Sequence, residues 1–271
     1  MTSAETKAST GRVVSTWLGA WLRVEGYWMW YRRYWLSTLY STGLQPVLFL
    51  AAMGLGFGSQ VQAGAATSGF SYLQYVAPAL LVAGAAQLAV GESSYPVLSG
   101  FKWQQSYVAV TASPITPGQV LGSQIIWVAI RLGLAGSIYA VIAALFGSWT
   151  SFGVLAVILI GVLTGIACGT PVMALAATTY DEGSRFGLVF RFILIPMTLF
   201  SGTFFPIDEL PDPLMWIAWL SPLWHGNEAA RAVSLGTVGP LATLGHLAFL
   251  VVLAGAGWAL AHKYFYRRLV V

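Results

Sequence analysis

Residues 200–236 read FSGTFFPIDELPDPLMWIAWLSPLWHGNEAARAVSLG. The stretch has the tryptophans and leucines of a membrane helix, yet Pro206, Pro211, Pro213 and Pro222 cut it into pieces. Proline lacks a backbone donor and clashes with the preceding turn, so helices begin or end at it. Asp212 is expected to cap a helix with Pro213 at its first position, running to about Leu220. Ser221 caps a second, with Pro222 first and Gly236 just past its end. Asp208, Glu209 and Asp212 stand where helix starts favour negative charge. At about 9 and 14 residues, neither piece crosses a hydrocarbon core that needs about 20. Loop backbone is not tolerated against lipid, so the pair is expected to pack on protein at the outer leaflet. The spacing thus predicts a short re-entrant helical hairpin over residues 204–238. Two roles stay open for it. One is a plain tie between the flanking spans; the other is an external lid carrying Trp216, Trp219, Trp224 and His225. Glu228 and Arg231, three apart on one helix, are within reach of each other.

The rest of the chain explains why such a hairpin occurs. Of 271 residues, 57% are hydrophobic and 8% charged, against roughly a quarter charged in a soluble domain. With a mean hydropathy of +0.73, too little charge exists to cover a soluble surface. The chain reads as an all-α integral membrane protein with six transmembrane helices. They fall near Leu39–Phe57, Tyr72–Val90, Val120–Phe146, Phe152–Ala177, Leu188–Phe205 and Leu241–Ala261. Residues 1–38 form a cytoplasmic N-terminus and residues 39–271 the transmembrane domain.

Basic residues orient the spans. With both termini inside, eleven of the thirteen lysines and arginines lie at cytoplasmic segments, Arg231 lies outside and Arg131 within the third span. The reverse orientation would invert that bias, so a multi-pass protein of the cell membrane with cytoplasmic termini is expected. The isoelectric point near 9.3 then reflects topology and anionic lipid head groups rather than nucleic acid.

Four cytoplasmic or buried features stand out. Val14, Trp17, Leu18, Trp21, Val24 and Trp28 recur close to helical spacing, opposite Arg12, Ser15, Thr16, Gly19 and Arg23. This is the pattern of an amphipathic helix lying in the membrane interface. It serves either as an aromatic anchor or as a lever on the first span. Between spans two and three, the loop 92–119 holds a candidate short helix, about Phe101 to Val110, with Phe101, Lys102, Trp103 and Tyr107 as knobs suited to docking on another protein. Gly161, Gly165 and Gly169 put a doubled G-x-x-x-G on span four, which lets another helix approach closely within or between chains, and Pro171 permits a kink. Arg131 stands in mid-span, where a charge costs about 2.5 kcal/mol or more. Glu92 is its conceivable partner, and a route or gating role stands beside a packing role.

Chemistry is sparse. No G-x-x-x-x-G-K-[ST] is present, so the chain has no P-loop of its own. No H-E-x-x-H, G-x-S-x-G or His/Cys cluster occurs, and the single Cys168 lies in an apolar run. No catalytic residues, metal site or cofactor are expected in this chain.

The whole chain resembles the ABC-2-type exporter permeases, membrane subunits of ATP-binding-cassette exporters of the nodulation-factor, polysaccharide and daunorubicin-resistance type. The match is most specific in FSGTFFPIDELP and WLSPLWHGNEAARA, and TASPITPGQVLGSQI resembles the stretch leading into span three. The resemblance implies two permease chains, identical or paralogous, with two nucleotide-binding subunits that hold ATP and Mg. It places Phe101, Lys102, Trp103 and Tyr107 at the ATPase contact and makes the helix from Arg12 to about Tyr34 the interfacial helix. One departure is that this loop carries Gln104, Gln105 and a lone Lys102 where the family often has several charges. Few charges line the spans, which leans toward a lipid-like, glycolipid or glycan substrate. A drug or antibiotic efflux permease of the same type and a membrane scaffold without transport are the alternatives.

Overall fold

The computed structural model describes residues 15–36, 44, 47–52, 56, 64 and 67–270. Among these, all regular structure is helical. Helix α1 (Thr16–Arg33) starts where the Ser15 side chain accepts from Leu18 N. Helix α2 (Tyr72–Ser93) opens on a reciprocal capping box between Ser71 and Gln74, which satisfies two otherwise orphaned donors. A one-residue break leads into α3 (Tyr95–Phe101), and α4 (Ser106–Thr111) follows. The long α5 (Pro117–Leu145) starts with a second capping box, Thr116 with Gln119, and Pro117 in its first turn. Then come α6 (Val154–Ala177) and α7 (Ser184–Leu188). A π turn, Val189–Leu194, joins α7 to α8 (Ile195–Phe200). After a 3-10 turn, Ile207–Glu209, the chain closes with α9 (Asp212–Trp219), α10 (Pro222–Leu235) and α11 (Pro240–Leu269).

Four stretches among the described residues are long and apolar enough to cross a membrane: Tyr72–Phe101, Pro117–Leu145, Val154–Ala177 and Pro240–Leu269. They correspond to expected spans two, three, four and six. The expected first span, Leu39–Phe57, lies largely outside the described residues, although residues 47–51 are helical. The fifth departs from expectation. In place of one helix over Leu188–Phe205, three joined pieces of five, six and six residues end at Phe200. The π turn sits just before Pro196, whose ring and missing donor an α register would set against the preceding turn. Ser201–Phe205 then leaves helix altogether, with Gly202 at φ 70°.

Helix α6 is the hub and touches α2, α5, α10 and α11. Its glycine stripe faces α2: a Cβ on Gly161 would meet Leu81 at 2.8 Å, and one on Gly169 would meet Ser93 Oγ at 2.7 Å. The doubled G-x-x-x-G therefore packs within the chain, where small residues let backbones approach. On its other side, Thr170 Oγ1 donates to Ile166 O at 3.0 Å and to Ala254 O of α11 at 3.4 Å, beside Pro171 in the helix interior. Gly257 of α11 sits directly over Thr170 and Pro171. Helix α1 runs alongside the first half of α5 in the same direction. Gly19 meets Gln119, whereas Tyr27 and Tyr31 both pack on Trp127.

Packing also separates two ends of the bundle. At one end, Tyr72 OH donates to Phe204 O at 3.3 Å, and Arg231 of α10 lies over the Tyr75 ring at 4.0 Å. At the other, Phe101, Tyr107 and Phe265 form an aromatic cluster with centroids 4.8–5.9 Å apart.

Candidate functional site

Three places collect the polar and aromatic groups that the sequence singles out. The first is a cavity of about 450 Å³ between α2, α5, α8 and the stretch containing Phe49, within the range of ligand pockets. Along α2 it runs from Leu80 to Leu88, and along α5 from Arg131 to Tyr139. Small residues make the room: Ala83, Gly84 and Ala85 face Ala135 and Gly136 across it. Tyr139 OH donates to Ala77 O at 3.0 Å and Thr198 Oγ1 to Leu194 O at 2.8 Å. Both hydroxyls are thus spent on backbone, which leaves Arg131 as the charged group of the lining.

Arg131 Nη1 lies 3.1 Å from Glu92 Oε1, with both side chains mostly buried. The partner expected from sequence is therefore the partner observed. The guanidinium also sits 5.2 Å from the Tyr31 ring of α1, so one side chain joins α1, α2 and α5. Glu92 is held from behind, because Gln124 Nε2 donates to Glu92 O at 3.4 Å. Gln124 Oε1 accepts from Tyr107 OH at 3.2 Å and so links the pair to the aromatic cluster. Gln124 was not singled out in the sequence, since a glutamine in an apolar helix carries no motif.

The second place is the loop between spans two and three. A single helix from Phe101 to Val110 does not form. Phe101 is the last residue of α3, the chain turns through Lys102–Gln105 with Gln105 at φ 50°, and α4 begins at Ser106. Phe101 and Tyr107 consequently point inward and are buried, packed edge-on at 4.9 Å with Phe265 behind them. They cannot serve as exposed docking knobs. Trp103 remains half exposed at 49%. Lys102 Nζ donates to Glu182 Oε1 at 2.6 Å and Trp103 Nε1 to Glu182 Oε2 at 3.2 Å. These bonds, the lysine's first, hold the Glu182 carboxyl below the usual carboxylate range. Arg268, near the end of α11, donates to Ala176 O, Thr179 O and Ala177 O at 2.7–3.2 Å. Its guanidinium lies between the Phe101 and Tyr180 rings at 4.4 and 4.6 Å. Glu182 and Arg268 escaped the sequence reading because their partners are some eighty to ninety residues away.

Helix α1 shows a split face. Trp17 (80% exposed), Trp21 and Trp28 point outward, and Val24 turns into the bundle. Arg23, expected on the outer polar side, points inward instead. Its Nη2 donates to Ser106 Oγ at 3.2 Å, and the Tyr27 and Tyr107 rings lie at 5.2 and 5.1 Å. Both α1 and the loop thus rest on one aromatic cluster.

The third place is the hairpin. Ser221 caps α10 by accepting from Leu223 N at 3.2 Å, and Gly236 ends it at φ 71°, both as the sequence predicts. Asp212 is already helical and makes no side-chain cap; Pro211 is the N-cap. The two helices differ in surroundings. Trp216 (66% exposed) and Ile217 of α9 face outward, whereas Asn227 and Arg231 of α10 are buried. Arg231 pairs with Glu228 at 3.0 Å, and its other donors reach Tyr75 O at 3.3 Å, Thr203 O at 3.2 Å and Gly202 O. Asn227 Nδ2 donates to Ser201 O at 2.9 Å and Thr203 Oγ1 at 3.1 Å. Trp224 packs edge-on against His225 and His246, whose Nδ1 atoms lie 2.9 Å apart. Asp208 and Glu209 lie on the 3-10 turn before α9. Helix α10 is therefore an inner wall of the bundle, and α9 is its outer lip.

This arrangement has named relatives. Residues 21–235 match the family described as ABC-2 type transporter. Nodulation protein J of Bradyrhizobium diazoefficiens is 30% identical over 258 residues, 94% of each chain. Nodulation protein J of Rhizobium meliloti is 25% identical over 256 residues, again 94% of each. The inner membrane transport permease YadH of Escherichia coli K12 is 26% identical over 216 residues, 76% of this chain and 78% of that one. A transporter family match over the span that contains most of α1, the cavity and the hairpin agrees with the apolar helices: this chain belongs to the ABC-2 type transporter family, as a multi-pass membrane permease of an ABC exporter whose ATPase activity lies with a partner subunit.

Proposed function

We propose that the chain is one of a pair of permease subunits, identical or paralogous, that export a lipid-like amphiphile, a glycolipid or a lipid-carried glycan. The observation that carries this reading is the cavity between α2 and α5: it is mostly apolar, about 450 Å³ in volume, and has Arg131 as the cation in its lining beside the polar Gln87, Tyr139 and Thr198. An amphiphile is drawn from the cytoplasm or inner leaflet and released on the other side. Both termini are cytoplasmic, which sets Trp103, Lys102, Glu182 and the end of α11 on the inner face and the hairpin on the outer. A separate subunit binds ATP and Mg and docks on that inner face through the exposed Trp103. Movement of the docked loop reaches the cavity through contacts already described: Tyr107 to Gln124, Gln124 to Glu92, and Glu92 to Arg131.

The test is co-reconstitution of the chain with a candidate ATP-binding subunit. Trp103→Ala with Glu182→Gln changes the exposed contact and leaves the aromatic cluster intact. We expect the double variant to lose most co-purification and most of the ATP hydrolysis of the assembly. Full retention of both would show that docking lies elsewhere.

A further inference from the structure

The cavity is charged at one end only, and that asymmetry specifies more than an amphiphile. Arg131 and Leu88 mark the end near Glu92, the second-last residue of α2; Leu80, Tyr139 and Phe204 mark the opposite end. Between them the walls are mainly leucine, alanine and glycine, with the uncharged Gln87 and Thr198 as further polar lining. Gly84 is the telling residue. A glycine inside a helix costs about 1 kcal/mol relative to alanine, yet a Cβ at Gly84 would meet nothing within 4 Å. Sterics within the chain do not demand glycine there, and its exposed Cα lines the cavity. Arg131, for its part, is held by one carboxylate and one ring face, although a guanidinium offers five donors in a planar fork that suits carboxylate and phosphate.

We propose that this cavity binds an amphiphile with an anionic head group and a single alkyl chain, Arg131 taking the head group and the groove along Gly84, Ala135 and Gly136 taking the chain. This rests on the permease reading and deepens it. Glu92 acts as a resident counter-ion: it neutralises Arg131 in the empty cavity and gives way when a phosphate or carboxylate enters. The orientation that puts the Glu92 end at the inner face aligns head and chain with those of an inner-leaflet lipid. A cargo molecule and a bilayer lipid share this chemistry.

The experiment uses the full chain assembled with its ATP-binding subunit in phosphatidylcholine nanodiscs, with binding read by native mass spectrometry after release. The probes are dodecyl phosphate, dodecyl maltoside and inorganic phosphate. We expect dodecyl phosphate to bind at least tenfold tighter than either of the others, since one lacks the charge and the other the chain. Glu92→Gln should tighten dodecyl phosphate several-fold by removing the competitor. The exchange Arg131→Glu with Glu92→Arg keeps an ion pair between α2 and α5 and should keep the melting temperature, yet lose dodecyl phosphate at least tenfold. Gly84→Leu should match or exceed the native melting temperature and lose the probe. Equal binding of phosphate and maltoside forms, or weaker binding in Glu92→Gln, overturns the proposal. ATP hydrolysis in the same samples separates the two readings: hydrolysis without selective binding overturns this inference only, and selective binding without any hydrolysis overturns the permease reading. Stimulation of hydrolysis by dodecyl phosphate identifies cargo, and binding without stimulation identifies a resident lipid; both satisfy the site.

Discussion

Arg231→Met tests whether α10 is a fixed wall or a movable lid. The native guanidinium joins three segments: Tyr75 of α2, the Gly202–Thr203 exit from α8, and its own helix through Glu228. Methionine matches the stem but donates nothing, so three backbone carbonyls and a carboxylate lose a charged donor together. Breaking a buried pair by removing one member costs about 3–5 kcal/mol. Glu228 keeps a quarter of its side-chain surface and is partly rescued by water, which favours the lower half of that range, whereas the lost face contact with Tyr75 at 4.0 Å adds about 1 kcal/mol. We expect about 4 kcal/mol, equivalent to a fall of roughly 10 °C in a chain of this size. Arg231→Lys keeps the charge but cannot reach Tyr75 O, Gly202 O and Thr203 O at once, so it should recover less than half of the loss. Melting in detergent measures both, and hydrogen exchange over Ser201–Leu235 locates the damage. A shift below 2 °C for Arg231→Met, or full recovery by lysine, would refute the clamp and return α10 to the status of a lid.

Two further outcomes follow from contacts at other elements. Gly226→Ala places a methyl against Thr164 and 2.8 Å from Val82 Cγ1, so it should cost about 2 kcal/mol by overpacking; adding Thr164→Ala should recover at least half, read by melting of the single and double variants. Glu182 has its titration lowered by Lys102 and Trp103, so its contact contributes above the ordinary carboxylate range and is lost as pH falls through the folded value. Hydrogen exchange of residues 102–105, corrected for intrinsic rate, should therefore rise below pH about 4 in the native chain and show no such step in Glu182→Gln.

What the sequence discloses and what it withholds divide along the range of the interaction. Local periodicity and capping reach the right elements: the edges of α6 and α10 are set by apolar runs and by Ser221 and Gly236. Two ion pairs were also legible, Glu228 with Arg231 because they share one helix turn, and Glu92 with Arg131 because a charge in a span needs a partner. The capping boxes at Ser71–Gln74 and Thr116–Gln119 were present as S-x-x-Q and T-x-x-Q and went unread. Phe101 and Tyr107 were misplaced for a different reason. The chain turns after Phe101 through Gln105 at φ 50°, a residue type other than the glycine or asparagine that marks a left-handed turn. The Tyr107 ring packs on Gly100, so close that a Cβ there would meet its Cζ at 2.5 Å. That constraint comes from tertiary packing and leaves no local pattern.

The basic residues carry a double load that charge counting alone does not reveal. Ten of the thirteen are arginine, although lysine would orient the spans equally well. Four of those arginines each lie on an aromatic ring and tie together elements far apart in the chain: Arg23 joins α1 to α4, Arg131 joins α5 to α1 and α2, Arg231 joins α10 to α2, and Arg268 joins α11 to α6. Arg268 shows why lysine would not serve. The end of a helix leaves carbonyls short of their usual intrahelical donor; here Ala176 O accepts from Thr179 N at 3.2 Å and has room for a second donor. One flat guanidinium covers Ala176 O, Ala177 O and Thr179 O while its faces pack between Phe101 and Tyr180. An ammonium has neither the fork nor the flat faces. The choice of arginine at these four positions follows from the carbonyls and ring faces that each has to bridge.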